Sequence, residues 1–212
     1  MPESWTAREQ ILSRIRSANT GVNIAARETE YAAIERAYQQ AASMSRETIL
    51  RTFAERLHEY DAHVVETTSA EIANAIAEIL KRNNQKSTVI AETFPAQLLP
   101  EGFAWLHESQ TTTLDRSTIE GAISACEAAI AHTGTIIIKG AREITLLPDR
   151  YLCVVYEDQV VETVPEAIAA LEKYAAESLT FISGPSATAD IEMTRIRGVH
   201  GPRFLDVVLV RN

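Results

Sequence analysis

Cysteine is nearly missing from this chain: Cys126 and Cys153 are the only two in 212 residues. They form no CxxC or other metal-ligand spacing. Two thiols cannot supply the four ligands that an iron–sulfur cluster usually takes. Each lies in an apolar run, so both read as buried structural residues. Positive charge is also scarce, with 20 Lys and Arg against 29 Asp and Glu and a net charge of −9 at pH 7. An acidic surface repels phosphate backbones, which argues against nucleic-acid binding as the main role, although a local basic patch still has room for a small anion. No stretch approaches the roughly 20 apolar residues of a membrane span. The opening segment, Met1 to Gln10, lacks the apolar core of a signal peptide, so the expected compartment is the cytoplasm. No GxGxxG, P-loop, zinc-ligand or nucleophile-elbow pattern is present. His58, His63 and His107 have no metal-binding spacing, and Trp5 and Trp105 read as packing residues.

What is present is ordinary globular composition, 46% apolar and 23% charged. A chain of this length buries roughly 70% of its unfolded surface and needs no disulfide or metal to fold. Residues 1–44 read as a helical arm. Ile11, Leu12 and Ile15 make one stripe that ends at Asn19-Thr20-Gly21, and Tyr31, Ile34, Tyr38 and Ala41 recur on one helix face. Residues 45–212 read as an α/β domain. Ile49, Leu50, Phe53 and Leu57 define an amphipathic helix, and Ala62–Val65 is a short strand. Thr68 and Glu71 have capping-box spacing ahead of Ile72, Ile76, Ile79 and Leu80. Asn83-Asn84 ends that helix, and Thr88–Ala91 is the next strand. Strand, helix and strand in this order predict a parallel sheet covered by helices, a three-layer α/β/α arrangement.

Gly121–Ala125 fits either a helix capped by Ser117 and Glu120 or a buried strand, and the strand is preferred. Thr135–Ile138 is a β-branched strand, and Tyr151–Tyr156 is a buried one. Thr163, Pro165 and Glu166 open a helix carrying Ile168, Leu171 and Tyr174. Leu179–Ile182 and Phe204–Val210 are the last strands.

Three segments have the residue types that bind small anions. The first is Ser183-Gly184-Pro185-Ser186-Ala187-Thr188-Ala189-Asp190-Ile191-Glu192, read as a strand end that opens a short helix. Gly184 allows close backbone approach, and Ser183, Ser186 and Thr188 offer hydroxyls beside the free amides of a first turn. That place, beyond the carboxyl end of a strand, is where open α/β sheets bind ligands. A tight turn with an N-cap explains the same residues without a ligand. Asp190 and Glu192 alternate on a helix, so paired-carboxylate catalysis is a weak reading. The second segment is His132-Thr133-Gly134-Thr135 with Arg142 downstream, where the guanidinium has the geometry to grip a carboxylate or phosphate; a surface hairpin with a solvated Arg is the plain alternative. The third is Gly198-Val199-His200-Gly201-Pro202. Its imidazole titrates near neutral pH and serves either as a proton shuttle or as a structural group bonded to a backbone carbonyl.

Taken together, Ile182–Glu192 and Gly198–Pro202 resemble the C-terminal signature of the lactate-utilization C proteins, a LUD-domain family. Thr133-Gly134-Thr135 and Arg142–Pro148 are similar to the family's central segment, and Arg8–Arg16 suits its N-terminal helix. The resemblance implies a fold related to the sugar-phosphate isomerase and CoA-transferase superfamily. It implies an accessory subunit, without a redox cofactor of its own, in a system that oxidises L-lactate to pyruvate, with the iron–sulfur clusters in partner proteins. From the three segments, the candidate residues for binding a small anionic ligand are Thr133, Gly134, Thr135, Arg142, Ser183, Gly184, Ser186, Thr188, Asp190, Glu192, His200 and Gly201. One departure bears on chemistry. The family often has Glu before the Thr-Gly-Thr step, and in related transferase folds a glutamate is the covalent nucleophile. Here that position is His132, and imidazole cannot form the same acyl anhydride. The competing expectation is a stand-alone binder or enzyme acting on a phosphorylated or CoA-linked metabolite.

Overall fold

The computed structural model describes residues 6–19, 24–111, 119–140, 142–189 and 195–212. They form two compact units, Met1–Tyr38 and Gln39–Asn212. In the first unit, helix α1 (Ala7–Ala18) starts at a capping box in which Thr6 and Glu9 satisfy each other's amides. Its Ile11 and Ile15 are exposed. Helix α2 (Ile24–Ala33) stops before Ile34, Tyr38 and Ala41, so the single helix face expected through those residues is not formed. The reason is local. Arg36 donates to the carbonyls of Tyr31 and Ile34 and stacks on the Tyr31 ring, taking over acceptors that a longer helix would use.

In the second unit, Ser45 caps α3 (Arg46–Glu59) and accepts from the Thr48 amide. Ile49, Leu50, Phe53 and Leu57 of this helix are buried, as their spacing predicts. Asp61, with φ 65°, turns the chain into β1 (His63–Thr68). The capping box expected at Thr68 and Glu71 does not form. Thr68 makes no side-chain cap bond, and the Glu71 carboxylate accepts from Asn74 instead. Helix α4 (Ile72–Arg82) buries Ile72, Ile76, Ile79 and Leu80. Asn84, in the left-handed region at φ 48°, follows its end.

Next come β2 (Ser87–Ile90), β3 (Ala104–His107) and β4 (Gly121–Ala125), the last settling the helix-or-strand alternative in favour of strand. They are followed by β5 (Ala128–Ile130), β6 (Thr135–Lys139), α5 (Arg142–Leu146), β7 (Arg150–Tyr156) and β8 (Val160–Val161). Helix α6 (Val164–Ala170), β9 (Leu179–Ile182), β10 (Ala187–Ala189), β11 (Arg195–Arg197) and β12 (Phe204–Arg211) complete the chain. Thr163 and Glu166 form a capping box at α6.

Six strands make one parallel sheet in the order β1-β12-β7-β4-β2-β3. Leu205 to Val210 are all buried, so both faces of β12 are covered, as expected of a central parallel strand. The chain is therefore an α/β protein. The sequence did not announce a second, four-stranded sheet, β8-β5-β6-β9. Ala129, Ile136 and Ile138 of this sheet face the main core. Ala128, Ile130 and Ile137 face the other way, onto Ala167 and Leu171 of the α6 segment. Alternation along two short strands thus seats a small sheet between the main core and a helix. Cys126 and Cys153 are both free and buried.

Candidate functional site

The residues singled out from sequence fall into two sets. In the first, Gly134 sits in the turn between β5 and β6 at φ 58°, with its amide on the Ala131 carbonyl. A Cβ there would lie 2.8 Å from the Cβ of Arg56, so this turn is pressed onto the end of α3. Gly184 approaches the same helix end. At φ 83°, its Cβ would lie 2.4 Å from the Cβ of Tyr60. Between the two glycines runs a chain of hydroxyls: Thr133 Oγ1 to Thr135 Oγ1 at 2.7 Å, and Thr135 Oγ1 to Ser183 Oγ at 2.7 Å.

The second set gathers around an open cleft of about 820 Å³. Arg142, on the first turn of α5, lines it together with His200, Gly201, Asp149, Arg203 and Glu120. Asp149 holds Arg203 with two hydrogen bonds, the Nη2–Oδ2 one at 2.9 Å, and pushes that guanidinium further above its ordinary pKa. Glu120 accepts from the amides of Lys86 and Ser87. Ser186 stands behind Gly201: its Oγ accepts the His200 amide at 3.2 Å, and its own amide donates to the Pro202 carbonyl at 2.8 Å.

Two expectations are corrected here. The segment after Gly184 does not open a helix. Ala187–Ala189 and Arg195–Arg197 pair as an antiparallel ribbon, with Thr188 opposite Ile196. The cause is that the Ser186 amide and carbonyl are both engaged by the 198–202 loop, so no first turn of free amides is left for an anion. Nor does the segment lie at the carboxyl edge of the parallel sheet. Strand β9 pairs antiparallel with β6 in the second sheet, and the Arg142–His200 cleft lies beyond the amino ends of β4, β7 and β12. The space beneath Gly184 and Ser186 is only about 20 Å³, enough for one water and no metabolite. Asp190 and Glu192 lie outside the described residues.

Two charged clusters went unnoticed in the sequence. At the amino ends of β1, β12 and β7, the buried Asp206 carboxylate receives Arg82 Nη2 at 2.8 Å, His63 Nδ1 at 3.2 Å and Arg150 Nη1 at 3.5 Å. Burial raises its pKa, and the nearby Arg82, Arg150 and His63 charges oppose that rise. Burial, followed by the Arg82 charge, lowers the His63 pKa. Arg150 also stacks 4.0 Å over the Phe204 ring.

The second cluster is Glu162, just after β8. It is buried and accepts from the Met44 amide at 2.8 Å, the Ser43 amide at 2.6 Å, Gln39 Nε2 at 2.6 Å and Ser43 Oγ at 3.1 Å. His132 Nε2 stands 3.6 Å from Oε1, so the residue before the Thr-Gly-Thr step lies beside a carboxylate. The Met44 amide leads the bonds that hold the Glu162 pKa down, to about 2. A carboxyl depressed on folding adds stability above its unfolded pKa and loses it as pH falls towards the folded value. Stability should therefore drop between about pH 4.5 and 2. Chemical denaturation of Glu162→Gln across that range should show a flatter profile; a profile as steep as the parent's would mean that other carboxylates cause the loss.

Among the described residues, no group of three or more His, Cys, Asp or Glu is placed to hold a metal ion. No described helix is long and apolar enough to cross a membrane.

The LUD domain family model matches residues 50–210. The chain is 38% identical over 183 residues to lactate utilization protein C of Deinococcus radiodurans, covering 82% of this chain and 84% of that protein. It is 31% identical over 192 residues to lactate utilization protein C of an Exiguobacterium species, covering 79% and 80%. A crystal structure of a DUF162 family protein from Deinococcus radiodurans superposes with a TM-score of 0.69 at 32% identity, over 80% of this chain and 100% of that one. The matched span runs from within α3 to within β12 and so takes in both sheets and both residue sets. The chain belongs to the LUD domain family.

Proposed function

We propose that the chain is a component of a lactate-utilization system, working in the cytoplasm beside iron–sulfur partner proteins that oxidise L-lactate to pyruvate. Its own part is to receive a small anion in the cleft between Arg142 and His200. The likeness to a lactate utilization protein C over more than four-fifths of both chains carries the first half of this reading. The cleft supports the second. Arg203 is already neutralised by Asp149, so Arg142 is the guanidinium offered to a carboxylate, which it grips in a planar fork. His200 lines the same space, and its ring nitrogens can donate or accept a hydrogen bond. Electron transfer is left to the partners' clusters, and this chain binds and positions.

Deleting the gene should abolish growth on L-lactate, and the Arg142→Ala chain should complement poorly. In calorimetry, Arg142→Ala should weaken L-lactate or pyruvate binding by about tenfold, the usual effect of losing one hydrogen bond to a charged group. Undiminished growth on lactate after deletion would overturn the assignment. Heat from a sugar phosphate or a CoA ester, with none from lactate or pyruvate, would replace it with a phosphorylated or CoA-linked ligand.

A further inference from the structure

The cleft lined by Arg142 and His200 has about 820 Å³ of space, a size at which clefts take a drug-sized molecule. L-Lactate and pyruvate are far smaller and would leave most of it unfilled. Part of the remaining wall is apolar. Leu147 is 36% and Val199 48% exposed, although side chains of these types are usually buried. A single exposed apolar residue needs no explanation. These two are distant in sequence, belong to neither core cluster, and line the same cleft.

Leu146 joins them. It lies one helical turn after Arg142, on the same face of α5. Its Cδ2 would stand 3.7 Å from a Cβ at Gly201, so it fills the gap between α5 and the 198–202 loop. The α5 wall of the cleft thus offers a cation and leucine side chains side by side. The acids of the lining set a further condition. Asp149 is paired with Arg203, and Glu120 is bonded to the Lys86 and Ser87 amides. A ligand with a second carboxylate would meet Glu120 as a like charge. An uncharged aliphatic tail would instead cover Leu147 and Val199.

We propose that the preferred ligand of this cleft is an aliphatic 2-hydroxy acid with a longer tail than lactate, its carboxylate on Arg142 and its tail on Leu146, Leu147 and Val199. The proposal rests on the anion reading of this cleft and names the ligand class within it.

Calorimetry on the full chain with L-lactate, L-2-hydroxy-4-methylpentanoate and L-malate tests it. Each methylene moved out of water is worth about fourfold in affinity, so the branched acid should bind about tenfold or more tighter than lactate, even in an open cleft. Malate should bind no tighter than lactate. Leu147→Ser and Val199→Ser, both at exposed positions, should each shrink the preference for the branched acid by about threefold or more. Arg142→Ala should weaken both monocarboxylates together. Equal affinity for lactate and the branched acid, or a preference that survives both serine variants, would overturn the proposal and leave the lactate reading in place. Malate as the tightest ligand would overturn it as well. A branched acid that binds the Arg142→Ala chain as tightly as the parent would remove the carboxylate placement too, and heat from none of the three acids would remove both readings. Circular dichroism of each variant separates lost binding from lost fold.

Discussion

Replacing Asp206 with alanine should destabilise the globular unit by about 3 kcal/mol, near the lower end of the range for breaking a buried ion pair. The carboxylate sits on β12, the second strand of the parallel sheet, with only 4% of its side chain exposed. Three basic groups from three elements close on it: His63 from β1, Arg82 from the end of α4 and Arg150 from β7. Removing the anion leaves like charges facing one another around a hole. The loss stays towards the lower end because Arg82 is about half exposed and can regain water. Asp206→Asn should cost less, since the amide oxygen still accepts from Arg82. The two variants also differ in pH behaviour. An acid whose pKa rises on folding is protonated sooner in the native chain than in the unfolded one. Folding is therefore penalised as pH rises through that interval, and the Asn variant should lack that downward slope. Urea titrations of both variants, with far-UV dichroism as the probe, check the order Ala worse than Asn. An Asp206→Ala chain within experimental error of the parent would mean that the cluster is solvated decoration.

That cluster also marks where reading the sequence stopped. Elements defined by their own burial pattern were legible. The spacing of Ile49, Leu50, Phe53 and Leu57 fixed α3, and the apolar runs at 151–156 and, interrupted by Asp206 alone, at 204–210 fixed β7 and β12. The second sheet was not legible, because β8 has two residues and β5 three, too few for a periodicity. The segment Ser183–Glu192 misled for a different reason. Gly-Pro-Ser is good helix-start chemistry, but the amide and carbonyl of Ser186 are taken by a loop more than ten residues further on, a competition that local propensity does not register. Of the candidate site, Thr133, Thr135, Ser183, Ser186, His200 and Arg142 had the right residue types, yet only coordinates divide them between the hydroxyl chain and the cleft. The missed Asp206 and Glu162 did leave a signal. Each is a lone acid in or beside an apolar strand, between Leu205 and Val207 or after Val160-Val161. A charge placed there must be paired or hydrogen-bonded.

The second large effect is expected at Gly184. Alanine here meets two obstacles that differ in kind. At φ 83° any residue with a Cβ is strained, which costs about 1–3 kcal/mol. The added Cβ would also stand 2.4 Å from the Cβ of Tyr60, an atom fixed to the backbone at the end of α3 and unable to swing aside. Relief requires the β9–β10 junction to move off the helix, and overpacking of this type adds roughly another 1–3 kcal/mol. The junction carries Ser183, 2.7 Å from Thr135. It also carries Ser186, which orders the His200 loop. The shift should thus break the hydroxyl chain and loosen one wall of the Arg142–His200 cleft along with the fold. Pairing Gly184→Ala with Tyr60→Gly separates the two obstacles, because the second change removes the contact and leaves the backbone strain. Part of the lost stability, beyond what Tyr60→Gly itself costs, should return in the double variant. If none returns, the contact with α3 contributes nothing and the dihedral strain is the whole effect. If Gly184→Ala alone is as stable as the parent, the turn is not pressed against the helix at all.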